Sequence, residues 1–410
     1  MKKANLIGKW SRALPPAGRD TVRQLCHAAE RNGIALYLVG GPVRDLLLGL
    51  PSLDADIAVE GDLAALLAGL PGLRTVRHAR FLTATVRGDG FTLDLATARS
   101  ETYQRPGALP TVTPAAIRKD LLRRDFTINA MALALTGEHR GELTDPSGGE
   151  RDLNARRLRV LHDASFRDDA TRILRAARYE ARLACSIEPR TSKLLQRDLP
   201  YLDSISAARI HHEISRTLWE IEPERILLRL QELGALRAVY PAWSFSAAQA
   251  QAFQTLRHLR SPALHAAYWP LLAWEASIRD SGLARRLALT RTQAQCIAAV
   301  PHLRAIEPDL AERPLSAGRV CEMLAPHPLP AAWALAAITT LALTRERCLD
   351  YLLRLRHVRT ALRGDDVLAL GVSPGPPVGD ALRQLKVAKL NGEVKSRRDE
   401  EQFVSRLLTP

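Results

Sequence analysis

The turn-forming cluster Asp145-Pro-Ser-Gly-Gly149 separates two kinds of pattern that no single sheet or bundle accommodates. Before it, strand-like and helix-like runs alternate. Ile34–Val39, Leu53–Val59, Leu82–Val86, Phe91–Ala96 and Ala130–Leu135 read as strands, and Thr21–Arg31, Val43–Leu48, Asp62–Ala68 and Ala115–Arg123 as helices. That mix implies an α/β head around one central sheet. From Ala164 to about Leu362 the periodicity is helical, with breaks at Pro189, Pro200, Pro223, Pro241, Pro262, Pro301 and Pro314. No clear strand pair remains there, so an all-α remainder is expected, with Tyr240, Trp243 and Phe245 as core anchors. A second turn cluster, Gly371–Gly379, precedes a basic helix expected over Asp380–Leu390. The expected fold class is α+β.

Charge narrows the partner. Lys plus Arg number 58 against 44 Asp plus Glu, a net +14 in which Arg dominates. Such a surplus points to a polyanion, either nucleic acid or an anionic membrane, and Arg favours bidentate grips on phosphate. The longest apolar stretch, Ala331–Leu343, is interrupted by Thr339 and Thr340 and is too short to span a bilayer. Lys2 and Lys3 are followed by no signal-peptide apolar region. The cysteines, Cys26, Cys185, Cys296, Cys321 and Cys348, are scattered, odd in number and lack a CxxC pair. That argues against a zinc site or disulfide framework and for a reducing cytosol. The expected partner is nucleic acid, met in the cytoplasm.

Five segments carry candidate chemistry. In Leu38-Val-Gly-Gly-Pro-Val-Arg-Asp45 a strand ends in two glycines and a helix begins at Pro42. Gly41 allows close approach of a ligand, the helix start suits phosphate, and Arg44 stands where it could clamp a triphosphate. The same pattern also makes an ordinary structural turn. Asp54-Ala-Asp56 enters the apolar run Ile57–Val59; on a strand, carboxylates two apart share a face. They repel unless a cation lies between them, and a pair of Mg²⁺ ions is the usual answer for nucleotidyl transfer. A solvated acidic turn is the plain alternative. Asp94, between Leu93 and Leu95 on an expected neighbouring strand, needs a partner: a metal, Arg99 or a backbone N–H. Arg124 and Asp125, in Arg123–Ala132, could meet phosphate and a sugar hydroxyl, or form a surface ion-pair cluster. Finally, Phe166–Arg178 reads as one helix on which Asp169, Arg172, Arg175 and Arg178 recur every three residues. Asp and Arg together can mimic the hydrogen-bonding edge of a base, although a solvated charged face has the same spacing.

In their order and spacing, these motifs with Asp145–Gly149 resemble the class II tRNA nucleotidyltransferases and bacterial poly(A) polymerases of the DNA polymerase β-like superfamily. The match covers about Ala35 to Leu183, and the remainder is similar to that family's helical neck, body and tail. The resemblance implies a catalytic head over 20–148, a neck over 149–220, an RNA-binding body over 221–345 and a tRNA-binding tail over 346–410. It implies that Asp54 and Asp56 hold two Mg²⁺ ions; Asp94, on the residue pattern alone, would complete the site as a third catalytic carboxylate. Gly41 and Arg44 would bind triphosphate, and Arg124 with Asp125 the sugar and phosphates. Asp169 and Arg172 would select CTP or ATP, supported by Arg175 and Arg178. Glu101–Pro110 would be the loop used in switching to A addition. Arg354, Arg356, His357, Arg359, Lys386 and Lys389 would meet the phosphates of the tRNA acceptor stem. Asp168 stands where CCA-adding members often have Glu, and with Ala108–Val112 this is more like members that add only the terminal A. No phosphohydrolase module is evident around His162-Asp163 or His211-His212. The implied activity is addition of CCA, or of the terminal A alone, to tRNA 3′ ends; alternatives are a poly(A) polymerase and a non-catalytic RNA-binding protein.

Overall fold

The computed structural model describes residues 5–50, 55–68, 70, 73–78, 82–275 and 282–408. Asp54 and the start of the expected Leu53–Val59 strand lie outside these described residues. The chain divides into two compact units, residues 1–209 and 210–410.

The first unit opens with α1 (Asn5–Ala13) and α2 (Pro16–Arg31), which buries Leu25, Ala28 and Ala29. β1 (Ala35–Val39) leads into α3 (Gly41–Leu47). Then come β2 (Asp56–Glu60), α4 (Leu63–Ala68), β3 (Arg74–His78), β4 (Thr83–Gly88) and β5 (Phe91–Thr97). A hairpin of β6 (Arg99–Thr102) and β7 (Thr111–Pro114) precedes α5 (Ile117–Leu122), β8 (Ala132–Ala134) and β9 (Leu143–Thr144). The sheet runs β3-β4-β5-β2-β1-β8-β9. Apolar β1 lies centrally between β2 and β8, with Leu36 and Leu38 buried. β2 and β5 pair in parallel, while the sheet's other pairs are antiparallel. α1, β3 and the β6–β7 hairpin escape the sequence reading; β3 is mostly exposed and Arg-rich and has no apolar alternation to show it.

The cluster at 145–149 is a helix start. Asp145 accepts from the backbone N–H groups of Gly149 (2.7 Å) and Glu150 (3.0 Å), opening α6 (Gly149–Asn154). A Cβ on Gly149 would stand 2.1 Å from the Thr127 carbonyl oxygen, so only glycine fits. Two expectations are corrected beyond it. A short parallel pair, β10 (Arg157–Leu158) with β11 (Ser186–Ile187), persists after the head sheet. The continuous helix expected over Phe166–Arg178 is two: α7 (Ser165–Asp168) and α8 (Thr171–Arg182). Asp169 is extended (φ −143°, ψ 96°) because its carboxylate accepts from Thr171 N (3.0 Å) and Oγ1 (2.6 Å), offering the chain a local bond in place of the helical one. α9 (Pro189–Asp198) follows.

The described residues of the second unit form helices joined by turns and loops, with no strand among them. Trp243 and Phe245 are buried as expected. The tail helix begins at Pro376, before the expected Asp380, because proline suits the first turn. Leu362, Val367, Leu385, Val394 and Val404 form a core there.

Candidate active site

Parallel pairing of β2 with β5 sets Asp56 directly beside Asp94, and antiparallel pairing of β5 with β4 sets Asp94 beside Thr85. Both carboxylates are exposed, whereas Ile57, Leu93 and Leu95 face the core. Thr85 Oγ1 donates to Asp94 at 2.7 Å, so the partner left open by the sequence is a hydroxyl. Asp56, Asp94 and Thr85 line a cavity of about 300 Å³ whose wall also carries Asp120 and Arg124. Like charges on adjacent strands disfavour one another, and a cation between them removes the penalty. The described carboxylates here make a pair; no group of three metal-ligating side chains gathers among the described residues.

Arg124 is held at this wall by Asp120, which accepts from its Nη2 at 2.8 Å. Asp120 is buried and also takes Arg123 Nη2 (2.6 Å) and the Arg99 N–H (3.2 Å). Burial works to raise its pKa, but Arg124 and Arg123 outweigh it and keep the carboxyl below its usual range. Glu101 joins the network, accepting from Arg123 Nη1 at 2.8 Å and from the Tyr103 hydroxyl at 2.8 Å. Across from it, Gly40 has φ +72°, and a Cβ there would stand 2.9 Å from Arg124 Nη1. The glycine turn and Arg124 therefore meet backbone to guanidinium.

On the other side of that turn Arg44 is buried, not solvated. Its Nε donates to Asp45 at 2.9 Å and its Nη1 to Asn129 at 2.6 Å. Asn129 donates to Asp125 (3.1 Å), which also receives Arg175 Nη2 at 2.5 Å. Burial opposes ionisation of Asp125, yet Arg175 and then Asn129 hold its pKa low. The Tyr179 ring lies beneath three guanidinium carbons, Arg44 at 5.4 Å and Arg175 and Arg178 at 5.8 Å each.

The expected base-selecting pair is held separately. Arg172 is buried, donating to Ser165 Oγ (2.7 Å) and to the Arg123 carbonyl (2.8 Å). Asp169 is bound by Arg209 at 2.6 Å as well as by Thr171. With the break between α7 and α8, Asp169 and Arg172 do not share one helix face, and Arg172 and Arg178 are core residues where the spacing allowed a solvated face. Asp120 and Tyr179 were missed; the steps from Asp120 to Arg123 and Arg124, three and four residues, are the signal that marks the first. In the second unit, Arg354 is paired with Asp350 (2.6 Å) and Lys389 with buried Glu400 (2.6 Å), so these two expected phosphate contacts are already engaged.

Residues 36–159 match the Poly A polymerase head domain, and residues 185–246 match the probable RNA and SrmB-binding site of polymerase A. An A-adding tRNA nucleotidyltransferase of Halalkalibacterium halodurans is 30% identical over 97% of this chain and 95% of its own length. The chain belongs to the tRNA nucleotidyltransferase family. This family member is also 35% identical to a CC-adding tRNA nucleotidyltransferase of Deinococcus radiodurans, over 97% of this chain and 95% of that one. It is 32% identical over 99% of its length to an A-adding enzyme of Geobacter sulfurreducens, but spans only about half of that longer protein (49%). A solved CCA-adding enzyme in an apo form superposes with a TM-score of 0.84 at 28% identity, covering 100% of this chain and 98% of that one. The nucleotidyltransferase is thus of α+β class with a polymerase β-like head, and enzymes of this kind are in general metal-dependent. No helix among its described residues is long and apolar enough to cross a membrane.

Proposed function

We propose that this nucleotidyltransferase acts in the cytoplasm on tRNA 3′ ends, adding the CCA sequence or only its terminal A without a nucleic-acid template. The observation that carries the reading is the in-register pair Asp56–Asp94, exposed on the wall of a cavity whose other side carries Arg124. Asp168 and the A-adding relatives favour the A-only form. The tRNA 3′-oxygen bonds to the α-phosphorus of ATP (or CTP), the bond to the β-phosphate oxygen breaks, and pyrophosphate leaves.

Exposed, like-charged and side by side, Asp56 and Asp94 fit a divalent cation; with Asp54 they would hold two Mg²⁺ ions. When bound, the metal supplies a lowered pKa for the attacking hydroxyl and neutralises charge on the leaving oxygens. The chain's own residues position the nucleotide. Gly41 and Arg44 take the triphosphate, Arg124 the sugar and phosphates, and Asp125 fixes Arg175 beside them. Arg178, with Arg175, supports α8 against Tyr179. Arg172 and Asp169 read the base, Asp169 exchanging its Arg209 contact for a base amine. The neck at 149–220, body at 221–345 and tail at 346–410 would bind the acceptor stem, chiefly through backbone shape.

The test is incorporation into tRNA lacking its CCA end, and into tRNA ending in CC, with CTP alone, ATP alone or both. One A added to tRNA ending in CC is expected. A long A ladder would replace the reading with a poly(A) polymerase, and no incorporation would sink it.

A further inference from the structure

Of the six tryptophans, five are 6% exposed or less, whereas Trp219 is 70% exposed. It follows the helix Ala207–Leu218, and its backbone N–H still bonds Ser215. Exposed His212 and Arg216 precede it by seven and three residues, so all three share one helical face. Ile221, 88% exposed, lies two residues on. An apolar ring this open costs hydration free energy unless something covers it.

The ring is also braced. His265 stacks on it with centroids 3.7 Å apart and an interplanar angle of 18°. Burial shifts the imidazole toward its neutral form. Behind it, His265 meets Tyr268 edge-on at 6.1 Å, and Tyr268 stacks on Phe253 at 4.2 Å. Phe253 in turn meets Phe245 edge-on at 5.3 Å. One face of the indole is thus fixed to an aromatic column rooted in the core, and its exposure leaves the other open.

A flat, rigid aromatic face beside a guanidinium is what a nucleobase needs: stacking works with any base, and the neighbouring phosphates take the positive charge and hydrogen bonds. A protein-binding hot spot would instead sit in a pocket with a complementary rim; Trp219 is 70% exposed just past the end of its helix. We propose that the open face of Trp219 stacks on a base face of the tRNA left uncovered by the RNA's own stacking, with Arg216 and His212 against the adjoining phosphates. This rests on tRNA being the substrate and adds the residue that docks it; residue 219 also falls in the segment matched to an RNA-binding site.

Because only Trp219 is accessible, acrylamide quenching of the intact protein's fluorescence reports on it alone. Saturating tRNA should abolish most of the quenchable emission. Trp219→Ala should raise the KM for tRNA about tenfold, leave kcat and the KM for ATP unchanged, and preserve the melting temperature. Trp219→Phe should recover most of the loss. Undiminished quenching with tRNA bound, together with a wild-type KM in Trp219→Ala, overturns the inference and leaves the face to a protein partner. In that outcome tRNA incorporation by the wild type continues, so the proposed function stands; absence of incorporation overturns both.

Discussion

The two halves of the candidate site are built on opposite principles. Asp56 and Asp94 stand exposed, and Asp94 is steadied by one hydroxyl. The string Asp45–Arg44–Asn129–Asp125–Arg175 is cross-linked end to end, with Arg44 and Asp125 buried. The carboxylate wall presents two acids side by side at the surface, an arrangement that suits a cation, whereas the arginine string has its charges matched in advance. A site that recruits a metal from solution needs the first arrangement. A site that must hold a triphosphate in one pose needs the second, because guanidiniums fixed before binding lose little freedom on meeting phosphate.

That contrast breaks most readily at the wall. Asp56→Ala or Asp94→Ala should cut nucleotide incorporation at least about 100-fold, measured as kcat on tRNA ending in CC. Retained tRNA binding and an unchanged urea midpoint should accompany the loss. If either variant keeps wild-type turnover, the wall is not where catalysis happens.

The arginine string should fail through stability. Asp125→Asn removes a buried anion from Arg175 and should cost roughly 3 kcal/mol, read from urea unfolding at neutral pH. Its pH dependence has a definite sign. The native pKa of Asp125 lies below its unfolded value, so its contribution is complete above the unfolded carboxyl pKa of about 3.9. It is lost as pH falls from there through the lower native value. Asp125→Asn should therefore flatten the wild type's loss of stability below about pH 4; an equally steep loss would deny Asp125 this role.

The smallest effect belongs to Tyr179. Tyr179→Leu keeps an apolar side chain but removes the ring beneath three guanidiniums. It should raise the KM for ATP about three- to tenfold, as expected for cation–π contacts of this size, with little change in kcat. A fall in kcat equal to that at the wall would erase the distinction between the two halves.

The buried strands of the head were legible because apolar alternation and glycine breaks mark them, whereas exposed β3 carries no such mark. Asp94 was legible as a neighbour of the β2 acid because a carboxylate flanked by Leu93 and Leu95 must face away from the core. What escaped at the site depends on which side chains meet once the chain is folded. Asp120 looks like a helix-surface acid until Arg99, twenty-one residues away, is folded onto it. Arg172 and Arg178 carry the spacing of a wet face, and only the packing of α8 against the head shows them buried. The break at Asp169 turns on a side chain competing with the helix ladder, a competition periodicity does not register. Lys389 looks available for phosphate until Glu400 is seen buried against it.

The spacing of Asp56 and Asp94 is written in a backbone ladder, with Ile57 opposite Leu95 and Ala58 opposite Ala96 continuing the same register. Rotamer changes nearby cannot widen it, and a slip of one position would turn one acid inward. On the proposed reading, catalytic competence is thereby tied to an all-or-none property of the sheet. On heating, activity should hold nearly level and then drop in a single step with the sheet's own melting.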